Sequence, residues 1–123
     1  MNNASVLVSV VDDDDSVRES LPDLLREFGF ASQVFATAGA FLHSEFIDKT
    51  TCLILDIAIP VMSGPELRRE LLRQGYDIPT IFITAHAGFA SHPEIREGSV
   101  DCLMKPFSDT ALLGALKRAL NLK

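Results

Sequence analysis

Four apolar runs in this chain each end in a side chain capable of chemistry. Val6-Leu7-Val8-Ser9-Val10-Val11 runs into four consecutive aspartates, Asp12 to Asp15. Cys52-Leu53-Ile54-Leu55 ends in Asp56, Thr80-Ile81-Phe82-Ile83 in Thr84, and Cys102-Leu103-Met104 in Lys105. Runs of this length and apolarity read as strands buried on both faces. In an open parallel sheet the C-terminal ends of the strands share one edge, and that edge is where ligands bind. The four polar ends are therefore expected to meet.

Helical patterns alternate with the strands, which predicts an α/β fold. Strand one covers Val6–Val11. A helix follows with Val17, Leu21, Leu24, Leu25 and Phe28 on one face, a capping box from Ser16 to Glu19 or a start within the aspartates, and Gly29 as its stop. Pro22 inside it removes a hydrogen bond and favours a kink. Strand two is Ser32–Phe35, followed by a short helix over Ala38–Ser44. Strand three is Thr51–Leu55, and the next helix starts near Gly64-Pro65 and ends at Gly75. Strand four is Thr80–Ile83. A short helix is expected between Ala90 and Glu97, limited by Pro93. Strand five is Val100–Met104, and a last helix after Ser108 carries Leu112, Leu113, Leu116 and Leu120. Right-handed crossovers then give a five-stranded parallel sheet with helices on both faces, and the expected order is 2-1-3-4-5, a flavodoxin-like arrangement. Strands one and three lie side by side, so Asp12, Asp13 and Asp56 converge.

The 123 residues fit one domain over 1–123. The net charge of −6 argues against direct nucleic-acid binding, which needs a basic stripe. No run is long and apolar enough to span a membrane, and the first residues lack the order of a signal peptide, so a cytoplasmic protein is expected. Cys52 and Cys102 fall on strands two spacings apart, about 9–10 Å, too far for a disulfide. His43, His86 and His92 have no metal-ligand spacing; His86 follows Thr84 closely enough to border the pocket.

Three carboxylates in one pocket repel each other unless something positive sits among them. Lys105 supplies one charge, and the two negative charges left match one divalent cation. Magnesium suits one or two carboxylates with waters and a phosphate oxygen. A metal and a lysine would also screen the charge that spreads over a phosphoryl group as a carboxylate attacks it. Thr84 offers a hydroxyl to a phosphoryl oxygen. Asp14 and Asp15 read as helix-start charges.

These residues resemble the receiver domain of two-component response regulators along nearly the whole chain. The matching pieces are Val11-Asp12-Asp13-Asp14, the stretch from Leu55 to Gly64, Thr84-Ala85 and Lys105-Pro106-Phe107. The closest look is to receivers that precede helix-turn-helix output domains. The resemblance implies that Asp56 accepts a phosphoryl group from a histidine kinase or phosphotransfer protein. It implies that Asp13, Asp56 and the backbone carbonyl of Ala58 ligate Mg2+, with Asp12 acting through water. Thr84 and Lys105 would bind the phosphoryl group and report it, and Lys105-Pro106 would be cis. Such a domain is a signalling switch, with only weak self-phosphorylation and self-dephosphorylation, and a monomer or weak homodimer. The chain is read either as a stand-alone receiver or as a piece of a longer regulator whose DNA-binding output domain would lie outside it.

Three departures bear on output. Cys102 stands where the family usually has Tyr or Phe, whose ring turns inward when the threonine moves, so a smaller switch and weak or unusual dimerisation are expected. The segment from Thr84 to Asp101 is about one residue short, and Ile59 replaces a common Met. Rival readings are weaker. A magnesium-dependent aspartyl phosphatase would show Asp-x-Asp-Gly-Thr after strand one. A flavin module would place Ser, Thr and Gly there to cradle phosphate. A degenerate receiver that only binds partners would have lost site residues, and Asp12, Asp13, Asp56, Thr84 and Lys105 are all present.

Overall fold

A computed structural model of the chain describes residues 6–86, 88, 92, 93, 95 and 99–121. Five parallel strands form one sheet: β1 (Leu7–Val11), β2 (Ala31–Phe35), β3 (Cys52–Asp56), β4 (Thr80–Thr84) and β5 (Asp101–Met104). Their order is β2-β1-β3-β4-β5, as expected. Four helices with both ends among the described residues lie between and after them: α1 (Asp15–Glu27), α2 (Ala38–Leu42), α3 (Gly64–Arg73) and α4 (Asp109–Ala119). The helix expected over 90–97 falls for the most part outside the described residues. No helix among the described residues is long and apolar enough to cross a membrane.

The strand pattern explains the layering. Successive side chains on a strand point to opposite faces. Val11, Leu53, Leu55 and Phe82 pack on one face with Phe41 of α2 and Leu67 and Leu71 of α3. Val8, Val10, Cys52, Ile54, Ile81 and Ile83 pack on the other with Leu21 and Leu25 of α1 and Leu112 and Leu116 of α4. Each fully buried Leu, Ile or Phe contributes about 1.5–3 kcal/mol from lost water contact. Two such cores hold β1, β3 and β4 rigidly, and those strands aim Asp12, Asp56 and Thr84 at one edge.

Several local expectations shift. The N-cap of α1 is Asp14, whose side chain accepts from the Ser16 N–H, so no capping box forms from Ser16 to Glu19. Asp14 wins because its carboxylate suits the positive end of the helix better than a hydroxyl two residues later. The capping box is at α3, where Ser63 and Glu66 bond each other's backbone N–H. Helix α1 runs unbroken through Pro22; burial of Leu21 and Leu25 on either side offsets the lost hydrogen bond. Gly29 and Gly75 end α1 and α3 at φ 93°, a conformation that costs glycine little. Helix α2 stops at Leu42, two residues early, with His43 as its C-cap. Strand β3 extends to Asp56 and β4 to Thr84, one residue beyond expectation, so both functional side chains belong to the ladder itself. Cys52 and Cys102 are free thiols on strands separated by β4.

Candidate functional site

The C-terminal edge of the sheet brings Asp12, Asp13 and Asp56 together. One carboxylate oxygen from each lies within 4.8 Å of the others, a spacing compatible with a divalent cation. Asp12 is fully buried, Asp56 nearly so, and Asp13 exposed. The two buried acids are held in parallel ways. Oδ1 of Asp12 accepts the Asp14 N–H at 2.9 Å, and Oδ1 of Asp56 accepts the Ala58 N–H at 3.0 Å. Each aspartate thus bonds the backbone two residues on, which fixes its rotamer. Their remaining oxygens face Lys105, whose Nζ lies 2.7 Å from Asp12 Oδ2 and 3.0 Å from Asp56 Oδ2. The contact to Asp12 is an ion pair without good hydrogen-bond direction, and Oδ2 of Asp12 is otherwise unsatisfied. That buried, poorly satisfied oxygen beside two more carboxylates is the feature a cation would relieve.

The charges set the acidities. Burial pushes the Asp12 carboxyl up to about 6; Lys105 and the Asp14 N–H pull against burial, and Asp56 adds to it. Burial pulls the Lys105 ammonium down, but its contacts with Asp12 and Asp56 outweigh that and raise it overall. Lys105 therefore stays charged between the two acids. The Lys105-Pro106 bond is cis, as expected.

Thr84 is fully buried at the end of β4. Its hydroxyl accepts the His86 N–H at 3.0 Å and lies 3.3 Å from the His86 carbonyl oxygen, so it is engaged with its own chain. His86 and Ala58 line one cavity, which places His86 at the border of the site. His43 bonds the Gly39 carbonyl through Nδ1 and lies elsewhere. Asp14 and Asp15 serve the start of α1, as expected: Asp14 caps it and Asp15 pairs with Arg18. Cys102 is half-buried against the core beside β4, and its N–H bonds Asp101 Oδ1.

Two supporting residues were not legible as site residues. Arg18 donates from Nη1 to the Asp12 carbonyl oxygen at 2.9 Å while pairing with Asp15, so it straps the acidic loop to α1. The only local signal was its i,i+3 spacing from Asp15. Gly64 is the second. Its N–H bonds the Ile57 carbonyl at 2.9 Å and closes the loop that follows Asp56. A Cβ there would stand 2.6 Å from the Asp56 carbonyl oxygen and 3.0 Å from Ile57 Cα. Neither backbone atom can yield cheaply. Gly64→Ala is expected to lower stability by about 1–3 kcal/mol, read by urea unfolding. An unchanged midpoint would mean that the loop has room to move.

Residues 8–117 match the response regulator receiver domain. The chain belongs to that family. Receiver domains are signalling switches rather than enzymes in the usual sense, and the acidic cluster here has the arrangement of their phospho-aspartate site. Among curated relatives, the response regulator protein TmoT of Ectopseudomonas mendocina is 39% identical over 123 residues, which are 99% of this chain and 56% of TmoT. This receiver thus spans about half the length of the curated relatives it matches. The solved structure of the response regulator StyR superposes with a TM-score of 0.88 at 41% identity, covering 96% of this chain and 60% of that one. The response regulator TrrA of Thermotoga maritima, solved in complex with Mg2+-BeF, superposes with a TM-score of 0.83 at 27% identity, covering 94% of this chain and 99% of that one.

Proposed function

We propose that this receiver takes a phosphoryl group from a phosphohistidine of a histidine kinase or phosphotransfer protein onto Asp56, in a Mg2+-dependent reaction. The observation that carries the reading is the convergence of Lys105 on Asp12 and Asp56 at 2.7 and 3.0 Å, with Asp13 completing the acidic cluster. Asp56 is the nucleophile because it alone of the three stands at the centre of the sheet edge, on β3 between β1 and β4. Asp13, Asp56 and the Ala58 carbonyl would hold the ion, with Asp12 acting through water. When bound, Mg2+ supplies the positive charge that lets an anionic donor approach an anionic acceptor.

The chain's own groups do the rest. Oδ1 of Asp56 stays on the Ala58 N–H, leaving Oδ2 to attack phosphorus as the donor P–N bond breaks and its electron pair returns to the imidazole. Lys105 moves from Oδ2 to a phosphoryl oxygen, a short shift for a flexible ammonium. The Thr84 hydroxyl leaves the His86 backbone for another phosphoryl oxygen. The His86 backbone that Thr84 now holds is released with it, and a two-state element biased by such a contact is what a switch requires. The output belongs to a DNA-binding domain beyond this chain, and the protein works in the cytoplasm as a monomer or weak homodimer.

The test is site mapping. The receiver is incubated with acetyl phosphate and Mg2+, and the acyl phosphate is reduced with borohydride. The reduced residue is expected at Asp56 alone. Label on Asp12 or Asp13, or none anywhere, would overturn the assignment.

A further inference from the structure

Arg18 is a cation in an unfavourable place. It stands in the first turn of α1, where the helix end already presents positive charge, and Lys105 is a second cation at the same edge of the sheet. A solvent-exposed pair with Asp15 would contribute little. Yet the Arg18 side chain is only 22% exposed while that of Asp15 is 82% exposed, so the guanidinium is drawn away from water. Side chains on a helix lean toward its N-terminus, which carries the guanidinium back over the acidic loop. There Nη1 donates to the Asp12 carbonyl oxygen at 2.9 Å, and Nη2 pairs with Asp15. That carbonyl belongs to the peptide unit joining Asp12 to Asp13. Its surroundings are pinned: the Asp12 N–H bonds the Phe35 carbonyl at 3.0 Å, and the Asp14 N–H bonds Asp12 Oδ1 at 2.9 Å. Asp13 is different. It is exposed, and among the described residues no hydrogen bond ends on its side chain. Rotation of the Asp12–Asp13 peptide unit would swing its carboxylate out of the 4.8 Å cluster with Asp12 and Asp56. Arg18 holds that unit by its oxygen.

We infer that Arg18 is a positioning residue for the divalent cation: by holding the Asp12 carbonyl it keeps Asp13 aimed into the acidic cluster, and so sets the affinity for Mg2+. The inference rests on the Mg2+ reading of the site. Its sign runs against simple charge. Removing a cation from beside an acidic pocket strengthens the binding of another cation there. Removing the partner that orients a metal ligand weakens it. The charge of Arg18 is already paired with Asp15, so the first effect is small and the second outweighs it. The guanidinium suits the task because its planar fork reaches a carbonyl and a carboxylate at once in a fixed geometry.

The experiment titrates Mg2+ into the metal-free receiver and follows amide chemical shifts, with no phosphodonor present. The proteins are wild type, Arg18→Met, Arg18→Lys, Asp13→Ala and the double variant Asp13→Ala with Arg18→Met. Methionine keeps the apolar stem and loses the guanidinium; lysine keeps the charge and loses the fork. Arg18→Met is expected to bind Mg2+ about tenfold more weakly, the low end for losing a group that orients a metal ligand. Arg18→Lys should fall between it and wild type. With Asp13 already replaced by alanine, Arg18→Met should change the affinity by less than about twofold, because the side chain that Arg18 aims is gone. Binding by Arg18→Met that equals or exceeds wild type would overturn the inference, leaving Arg18 an ion pair that acts by charge alone. A tenfold loss that persists without Asp13 would also overturn it, by making the effect one on the whole pocket. Urea unfolding without metal reads the fold separately, and its midpoint should move little in Arg18→Met. If that variant does unfold, Arg18→Lys decides, since equal binding by lysine and arginine rejects the fork. An Asp13→Ala receiver that binds Mg2+ as wild type does would sink the proposed ligand set together with this inference. Loss in Asp13→Ala with none in Arg18→Met would reject the inference alone.

Discussion

Asp56→Asn is expected to lose phosphoryl uptake from acetyl phosphate by at least about a thousandfold, the scale of removing an activated nucleophile. The fold should survive the change. An amide can still accept the Ala58 N–H through its oxygen, and β3 is buried on both faces by side chains other than Asp56. The substitution also removes one of three clustered negative charges, so the protein should unfold at the same or a higher temperature. That separates chemistry from collapse: uptake vanishes while stability holds. The measurement is intact mass after incubation with acetyl phosphate and Mg2+, followed over time. A variant that gains the same mass at the wild-type rate would move the acceptor to another carboxylate.

Asp12→Asn is expected to stabilise the metal-free protein by up to about 3 kcal/mol at pH 7. The figure follows from burial pushing the Asp12 carboxyl from 3.8 up to about 6, since a tenfold change in proton affinity is worth about 1.4 kcal/mol. An acid whose folded-state pKa lies above its unfolded value takes up a proton on folding. Its carboxyl therefore favours the folded state below pH 3.8, and that advantage is lost as the pH rises through about 6. Asparagine resembles the protonated form at every pH, so the gap between variant and wild type should be small near pH 4 and full above pH 6. Mg2+ should narrow it from the other side, because a cation bound only to the folded state adds stability by mass action. Below about pH 6 the proton and the metal compete, and Mg2+ affinity should fall by up to about tenfold per pH unit. Urea unfolding at pH 4.5 and 7.5, with and without Mg2+, reads all of this. Asp14→Ala is the control, since that carboxylate bonds Ser16 at the start of α1; it should cost about 1 kcal/mol at the cap and leave the metal response intact. An Asp12→Asn protein less stable than wild type at pH 7 would mean that the ion pair with Lys105 outweighs the burial of the charge.

The stability gained by removing a site aspartate and the activity lost with it have one origin. A pocket of like charges is costly to the resting fold, and on the proposed function that same charge would attract a cation and supply the nucleophile. Lys105 offsets part of the cost by lying between Asp12 and Asp56. It also lies 3.0 Å from Asp56 Oδ2, the proposed acceptor oxygen, so the ammonium that stabilises the resting state would be placed to stabilise the phosphorylated one as well.

The apolar runs by themselves determined the strands, and that the polar residues at their C-terminal ends, Asp12, Asp13, Asp56, Thr84 and Lys105, share one edge of the sheet; the order in which the strands lie is seen in the sheet itself. The strands and their shared edge were legible because each strand is a short window with its own periodicity, and because crossover handedness leaves few ways to connect five of them. Helix ends were less legible. Ser16 and Glu19 have capping-box spacing, yet the cap is Asp14 and the box lies at Ser63 and Glu66. Competing caps differ by about 1 kcal/mol or less, which packing of the following helix readily overrides. Tertiary structure alone decided which oxygen of each aspartate Lys105 meets, that Arg18 reaches back to the Asp12 carbonyl, that Gly64 leaves no room for a side chain beside Asp56, and that Val61 stands at positive φ. Those are distances and angles between loops from separate strands, and no local pattern carries them until the sheet has fixed where each loop begins.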